Sequence, residues 1–153
     1  MKSYLPETIF YEEYTITSDQ SAMRVTDIHR WLSTRSHWAI NIPYEVVATA
    51  VQNSFCVGVL KEGRQIGFAR LITDYSIFAY LADVYVEQEH RGRGLSKKMM
   101  ELMMGTPWVK NLRRILLATK DAHTLYEKYG FGTLYYPDRM MEIFKPAHYD
   151  MER

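Results

Sequence analysis

Leu81-Ala82-Asp83-Val84-Tyr85-Val86-Glu87-Gln88-Glu89-His90-Arg91-Gly92-Arg93-Gly94-Leu95-Ser96 is the stretch whose reading decides the fold. An apolar run of strand character passes into a polar turn and then into a glycine-containing loop that opens a helix. Beyond Gly94, the residues Leu95, Met99, Leu102 and Met103 recur at offsets of four, seven and eight, one face of a helix. A loop entering a helix this way leaves backbone N–H groups without intrahelical acceptors, at the positive end of the helix dipole. That arrangement attracts an anion. Gly92 and Gly94 keep side chains out of the path of a pyrophosphate, and Arg91 and Arg93 add positive charge beside it. Other phosphate loops fail on spacing. A Walker loop needs Lys-Ser/Thr after its last glycine, where this chain has Leu95-Ser96-Lys97, and the dinucleotide fingerprint needs a third glycine where Lys97 stands.

Working outward, residues 54–60 and 65–73 are strand-like and flank Lys61-Glu62-Gly63-Arg64, a hairpin signal, and a further strand spans 76–86. Upstream, 9–16 is expected to be a first strand. Met23, Val25, Ile28, Trp31 and Leu32 give helical spacing over 21–34, and a second helix follows Pro43 over 44–52. Downstream, Gly105-Thr106-Pro107 ends the loop helix, 114–118 is a short strand, and 122–129 is a helix stopped by Gly130. Two closing strands are expected at 131–136 and 140–145. The order predicts a mixed α/β fold on one central sheet, mostly antiparallel, with no repeats or long linkers, so one domain is expected over residues 1–153.

The chain has 153 residues, 47% of them hydrophobic and 24% charged, enough to bury a core. A net charge of +1 gives no field that argues for nucleic acid or an anionic membrane as partner. No apolar run approaches the length of a membrane span, the start lacks a secretory pattern, and the single cysteine, Cys56, permits no intrachain disulfide. These features imply a soluble, cytoplasmic protein with Cys56 buried in a strand. The five histidines show no ligand spacing and there are no cysteine pairs, so no metal is expected.

Arg91-Gly92-Arg93-Gly94-Leu95-Ser96 resembles the Arg/Gln-x-x-Gly-x-Gly/Ala signature of GNAT acetyltransferases, between the fourth expected strand and its helix. Ala122-His123-Thr124-Leu125-Tyr126-Glu127-Lys128-Tyr129-Gly130-Phe131 resembles the family's Ala-x-x-Leu-Tyr-x-x-x-Gly-Phe helix, about thirty residues on. The resemblance covers roughly residues 8 to 145. It departs at Ser96, in place of Gly or Ala, and at Thr119, where many members have Asn. It implies a sheet splayed between the fourth and fifth expected strands with helices on both faces. It also implies acetyl-CoA as acyl donor and a homodimer; the acceptor is expected to be a primary amine of a small molecule, with a peptide or protein amine as the alternative.

By that resemblance the segment Val84-Tyr85-Val86 pairs its backbone with the pantetheine arm, the Val86 N–H facing the thioester carbonyl. Arg91, Gly92, Arg93, Gly94, Leu95 and Ser96 hold the pyrophosphate, with Lys97 and Lys98 within reach of the outer phosphates. Tyr126 is the expected acid for the leaving thiolate, against an alternative role as an aromatic packing anchor. The general base stays open among Asp83, a charge inside an apolar strand, and His123, on the same helical face as Tyr126. Asp121 is expected to cap that helix. Trp38, His37, Tyr44 and Tyr80 are the candidates for the acceptor pocket, and Trp31 is expected in the core. The competing reading is a non-catalytic acyl-CoA-binding sensor.

Overall fold

Alternating apolar residues build a six-stranded sheet in the computed structural model, which describes residues 4–146 and Tyr149. The elements run β1 (Thr8–Tyr11), β2 (Tyr14–Thr17), α1 (Val25–Arg35), α2 (Tyr44–Gln52), β3 (Phe55–Lys61), β4 (Arg64–Thr73) and β5 (Phe78–Val86). They continue with α3 (Leu95–Gly105), α4 (Pro107–Lys110), β6 (Arg114–Leu117) and α5 (His123–Glu127). The strands lie in sequence order, and every neighbouring pair is antiparallel except the parallel β5–β6 pair. This is the mixed, mostly antiparallel α/β fold that the sequence implied.

Strand alternation divides the core into two layers. Phe55, Val57 and Val59 point to one face and meet Met99, Met100 and Met103 of α3. Cys56, Phe68 and Tyr85 point to the other and meet Ile28 and Leu32 of α1 and Val47 and Val51 of α2. Each fully buried side chain of this size contributes about 1.5–3 kcal/mol, so both helical layers are held mainly by their contact with the sheet. Cys56 has no exposure, and burial pushes its thiol up to about 12, which leaves it a packing residue.

The parallel pairing runs only from Phe78 opposite Arg114 to Leu81 opposite Leu117. Beyond Leu81, β5 continues with no described strand along that edge. The sheet is therefore splayed between β5 and β6, helices covering both faces.

Four expectations need correction. Residues 9–16 form two strands, because Glu12 takes a positive φ of 52° and turns the chain so that Tyr11 pairs with Tyr14. The turn lacks an Asn-Gly or Asp-Gly pair, so nothing in the sequence marks it. Helix α1 starts at Val25 rather than near Ser21. A separate turn at Gln20–Ala22 is capped by Asp19, and the Arg24 N–H donates to Gln65 Oε1 at 2.7 Å instead of entering the helix. Residues 131–136 and 140–145 form no strands, because no described strand lies beside either of them. Asp121 does not cap α5. The N-cap position belongs to Ala122, which no side chain caps, and Thr119 Oγ1 accepts only from the Ala122 N–H at 3.0 Å.

Asp27 joins the first helix to the sheet. Its carboxylate accepts from the buried Gln65 backbone N–H at 3.0 Å and from Arg24 and Arg30 at 3.1 and 3.3 Å. The two arginines are mostly exposed and add little. The main cost of Asp27→Ala is the orphaned Gln65 amide, about 1–3 kcal/mol. We expect the urea midpoint to fall accordingly, with the slope of the transition unchanged.

Candidate active site

The site begins with a bulge. Arg70 pairs with Ala82 and Phe68 with Tyr85, so Asp83 and Val84 together face the single residue Ala69. Asp83 takes φ +54°, a conformation that Asp tolerates better than most residues. Two donors fix its carboxylate: Arg70 Nε at 2.7 Å and Trp38 Nε1 at 2.8 Å. Arg70 in turn donates from Nη1 to Ser54 Oγ at 3.0 Å, and both ionic partners are only 14% exposed. The extra residue resets the alternation. Tyr85 turns to the α1 side, where its ring stacks on Trp31 at 4.1 Å, while Val84 and Val86 turn to the α3 side.

The same register sets the backbone direction. Glu87 N–H donates to Ile66 O of β4 at 2.8 Å. By alternation, the N–H groups of Val86 and Val84 point away from β4, into the splay where β6 has already ended. The chain then turns into the glycine loop. Gly92 and Gly94 sit at φ +79° and +80°, the region that favours glycine, and Gly94 precedes the first turn of α3. No described acceptor takes the amides of Gly92, Arg93 or Gly94. A Cβ on Gly92 would meet nothing within 4 Å, so the loop is open on its outer side.

The loop is held from behind by the β1–β2 hairpin. Tyr11 Oη donates to Arg93 O at 2.9 Å, Tyr14 Oη pairs with His90 Nδ1 at 2.8 Å, and Arg93 meets Glu13 at 3.1 Å. Arg91 Nε donates to Val86 O at 2.9 Å, bracing the loop on β5. Sequence reasoning missed these tyrosines, because a tyrosine facing a loop eighty residues away leaves no local signal. Lys98 is occupied with Glu101 and lies over the Tyr11 ring, whereas Lys97 borders the cavity.

That cavity, about 340 Å³, brings the two sequence motifs together. Val84, Tyr85, Val86, Arg91, Gly92, Gly94, Leu95, Ser96 and Tyr126 border it, whereas Arg93, expected beside the pyrophosphate, does not and turns its guanidinium to Glu13 instead. Tyr126 is 8% exposed and packs edge-on against Phe131 at 5.9 Å, and its hydroxyl has no hydrogen-bond partner among the described residues. Burial pushes its phenol above the ordinary tyrosine range. It also borders a second cavity, together with His123.

The acceptor candidates separate. Trp38 reaches Asp83 and lies edge-on to His37 at 5.0 Å. Tyr80 pairs with Ile72, which puts it on the same face as Arg70 two residues along. Tyr44 packs against His29 instead, and no described contact joins it to Trp38. Trp31 stacks on Tyr85 and tilts against Trp38, but it is only half-buried, at the edge of the α1-side core rather than inside it. Among the described residues, no group of His, Cys, Asp and Glu could hold a metal, and no helix is long and apolar enough to cross a membrane.

Comparison with known proteins agrees with this geometry. The acetyltransferase (GNAT) domain model matches residues 52–133, from the end of α2 through the Tyr126 helix. A Gibberella zeae protein named as an acetyltransferase is 30% identical over 139 residues, covering 76% of this chain and 77% of its own. A Xanthomonas campestris structure assigned to the GNAT family is 46% identical, covers 89% of this chain and 96% of its own, and superposes with a TM-score of 0.85. A Clostridium acetobutylicum acetyltransferase structure containing acetyl-CoA shares the fold at 19% identity and TM-score 0.59, over 86% of this chain and 94% of its own. With the bulged strand, the open loop amides and the tyrosine around one cavity, this chain belongs to the GNAT acetyltransferase family.

Proposed function

We propose that the chain transfers an acetyl group from acetyl-CoA to a primary amine by direct attack, with no acyl-enzyme. One observation carries the reading: the β5 amides, the glycine loop and Tyr126 border the same cavity. The open loop amides and the dipole of α3 suit a pyrophosphate. The fit is also steric, since Gly92 and Gly94 leave the backbone bare where an anion would approach. In this reading the outward N–H of Val86 would receive the negative charge that develops on the thioester oxygen. Ser96 is small enough to leave this arrangement intact.

In this scheme the amine nitrogen bonds to the carbonyl carbon, the carbon–sulfur bond breaks, and Tyr126 gives its proton to the departing thiolate. An unpartnered phenol bordering the cavity is free to donate, and burial keeps it protonated at ordinary pH. The acceptor must also lose a proton. Asp83 is poorly suited to take it, because Arg70 and Trp38 already use both carboxylate oxygens. We assign Asp83 the positioning of the bulge and of Trp38, which leaves His123, without a hydrogen-bond partner among the described residues, as the side chain able to accept that proton. The amine would approach from the Trp38 and His37 side, where Tyr80 shares the face.

Tyr126→Phe keeps the ring packed on Phe131 and removes the proton. Thiol release with an amine panel should slow by about a hundredfold, with the KM for acetyl-CoA changed only a few-fold; an unchanged rate would defeat the acid assignment. The pH dependence has a definite sign. A raised phenol pKa keeps the proton-bearing form present to a pH above 10, so the wild-type alkaline limb should lie above that value and vanish in Tyr126→Phe. Asp83→Asn should lower stability while leaving the shape of the pH–rate profile unchanged. Tight CoA binding with no turnover on any amine would instead favour a sensor.

A further inference from the structure

A further cavity lies on the α1 side of β5 and takes no part in the chemistry above. It measures about 520 Å³, against about 340 Å³ for the one that Val86 and Tyr126 border, a size that suits a small molecule. Its walls are basic. Arg30 and Arg35 come from successive turns of α1, Arg64 from the start of β4 and Arg91 from the glycine loop, against two carboxylates, Glu87 and Glu89. Ion pairs leave part of this positive charge unneutralised. Glu87 is taken by Arg64 at 3.2 Å. Asp27 meets Arg30 at 3.3 Å but also Arg24, and it accepts from the Gln65 amide as well. Arg91 uses only Nε, on Val86 O at 2.9 Å, so its terminal nitrogens have no described partner. The Arg35 guanidinium has no hydrogen bond or ion pair among the described residues. The negative end of α1 accounts for one cation in its last turn, not for four guanidinium groups around one cavity.

Two contacts join this cavity to the one that holds the glycine loop. Arg91 borders both, at the end of β5 where the Val86 N–H points out of the sheet. Trp31 forms part of the arginine wall, stacks on Tyr85 at 4.1 Å and meets Trp38, itself bonded to Asp83, at 5.7 Å. A molecule that enters past Trp38 with its amine toward Val86 therefore has the arginine cavity beside it. Resting on the acetyl-transfer reading, we propose that the acceptor carries an acid group, a carboxylate or a phosphate, away from its amine, and that Arg35 and Arg91 hold that acid in this cavity. A guanidinium meets either acid through two parallel N–H donors, which suits it to this task better than a point charge. With Glu87 committed to Arg64, only Glu89 is left in the wall to oppose the ligand. The Trp31 ring offers an apolar surface for the carbon chain between the amine and the acid.

The test needs matched acceptors. Aminohexanoate is set against aminohexanamide, and aminohexyl phosphate against aminohexanol, with release of free thiol from acetyl-CoA as the readout. Wild type should favour the acid of at least one pair about tenfold in kcat/KM, and the better pair names the acid. Arg35→Gln should bring that ratio near one through the KM of the acceptor, with the KM of acetyl-CoA within about twofold of wild type. Arg35→Glu should go further and prefer diaminohexane, a reversal that a merely structural arginine would not produce. Arg35 has no partner to lose, and an unchanged heat of CoA binding checks that both variants fold. Equal use of acid and neutral acceptors by wild type would overturn the proposal while leaving acetyl transfer standing. So would an Arg35→Gln defect in the KM of acetyl-CoA instead, because the cavity would then serve the donor. If no amine is turned over, the acetyl-transfer reading falls, and calorimetry on the CoA-loaded chain decides the cavity alone. Heat from aminohexanoate or aminohexyl phosphate in wild type but not in Arg35→Gln keeps the acid site, whereas equal heats, or none, dismiss it.

Discussion

The contact between Arg70 and Asp83 is the constraint on which the site depends. A non-glycine residue at φ +54° costs on the order of 1 kcal/mol, so the bulge needs something to hold it. A 2.7 Å ion pair, 14% exposed on both sides and tied further to Ser54 and Trp38, supplies that hold. Without the extra residue, Tyr85 would point to the α3 layer and Val86 to the α1 layer, and the Val86 N–H would face β4. One residue of register therefore decides whether β5 is an ordinary inner strand or offers its amides to a ligand. The charge at Asp83, conspicuous in an apolar strand, is explained by this geometry before any catalytic role is considered.

The glycine loop and the Tyr126 helix were legible in the sequence for a related reason. Backbone that must take positive φ and leave amides bare requires glycine, and glycine at fixed spacing can be seen in a string of letters. The strands around them were legible from alternation, and α2 from Pro43 and its apolar period, to the residue at both ends. Supports that rely on ordinary side chains were invisible. Tyr11 and Tyr14 read as strand aromatics, and only the hairpin at Glu12 and Glu13 turns them toward Arg93 and His90. Gln65 looks like a strand surface residue, yet it is fully buried and fixes the start of α1. Gly58 faces it, where a Cβ would come within 2.8 Å of Gln65 Nε2.

The failure at 131–136 and 140–145 differs in kind. The apolar and aromatic residues there suit a strand, but neither segment alternates, and a strand exists only where another strand accepts its hydrogen bonds. Local sequence cannot say whether such a strand is at hand. In the described fold Tyr135, Tyr136 and Met140 line the groove beside β6 instead.

That groove bears on chemistry. A phenol donating to a thiolate works best where water is scarce, because bulk solvent would both compete for the proton and weaken the field of the outward amides. The described chain buries Tyr126 from the core side and from Phe131, yet leaves the cavity it shares with His123 open along β6. In the proposed reaction, whatever closes that groove would set the polarity around Tyr126, so its proton transfer would depend on more than the glycine loop and the bulge.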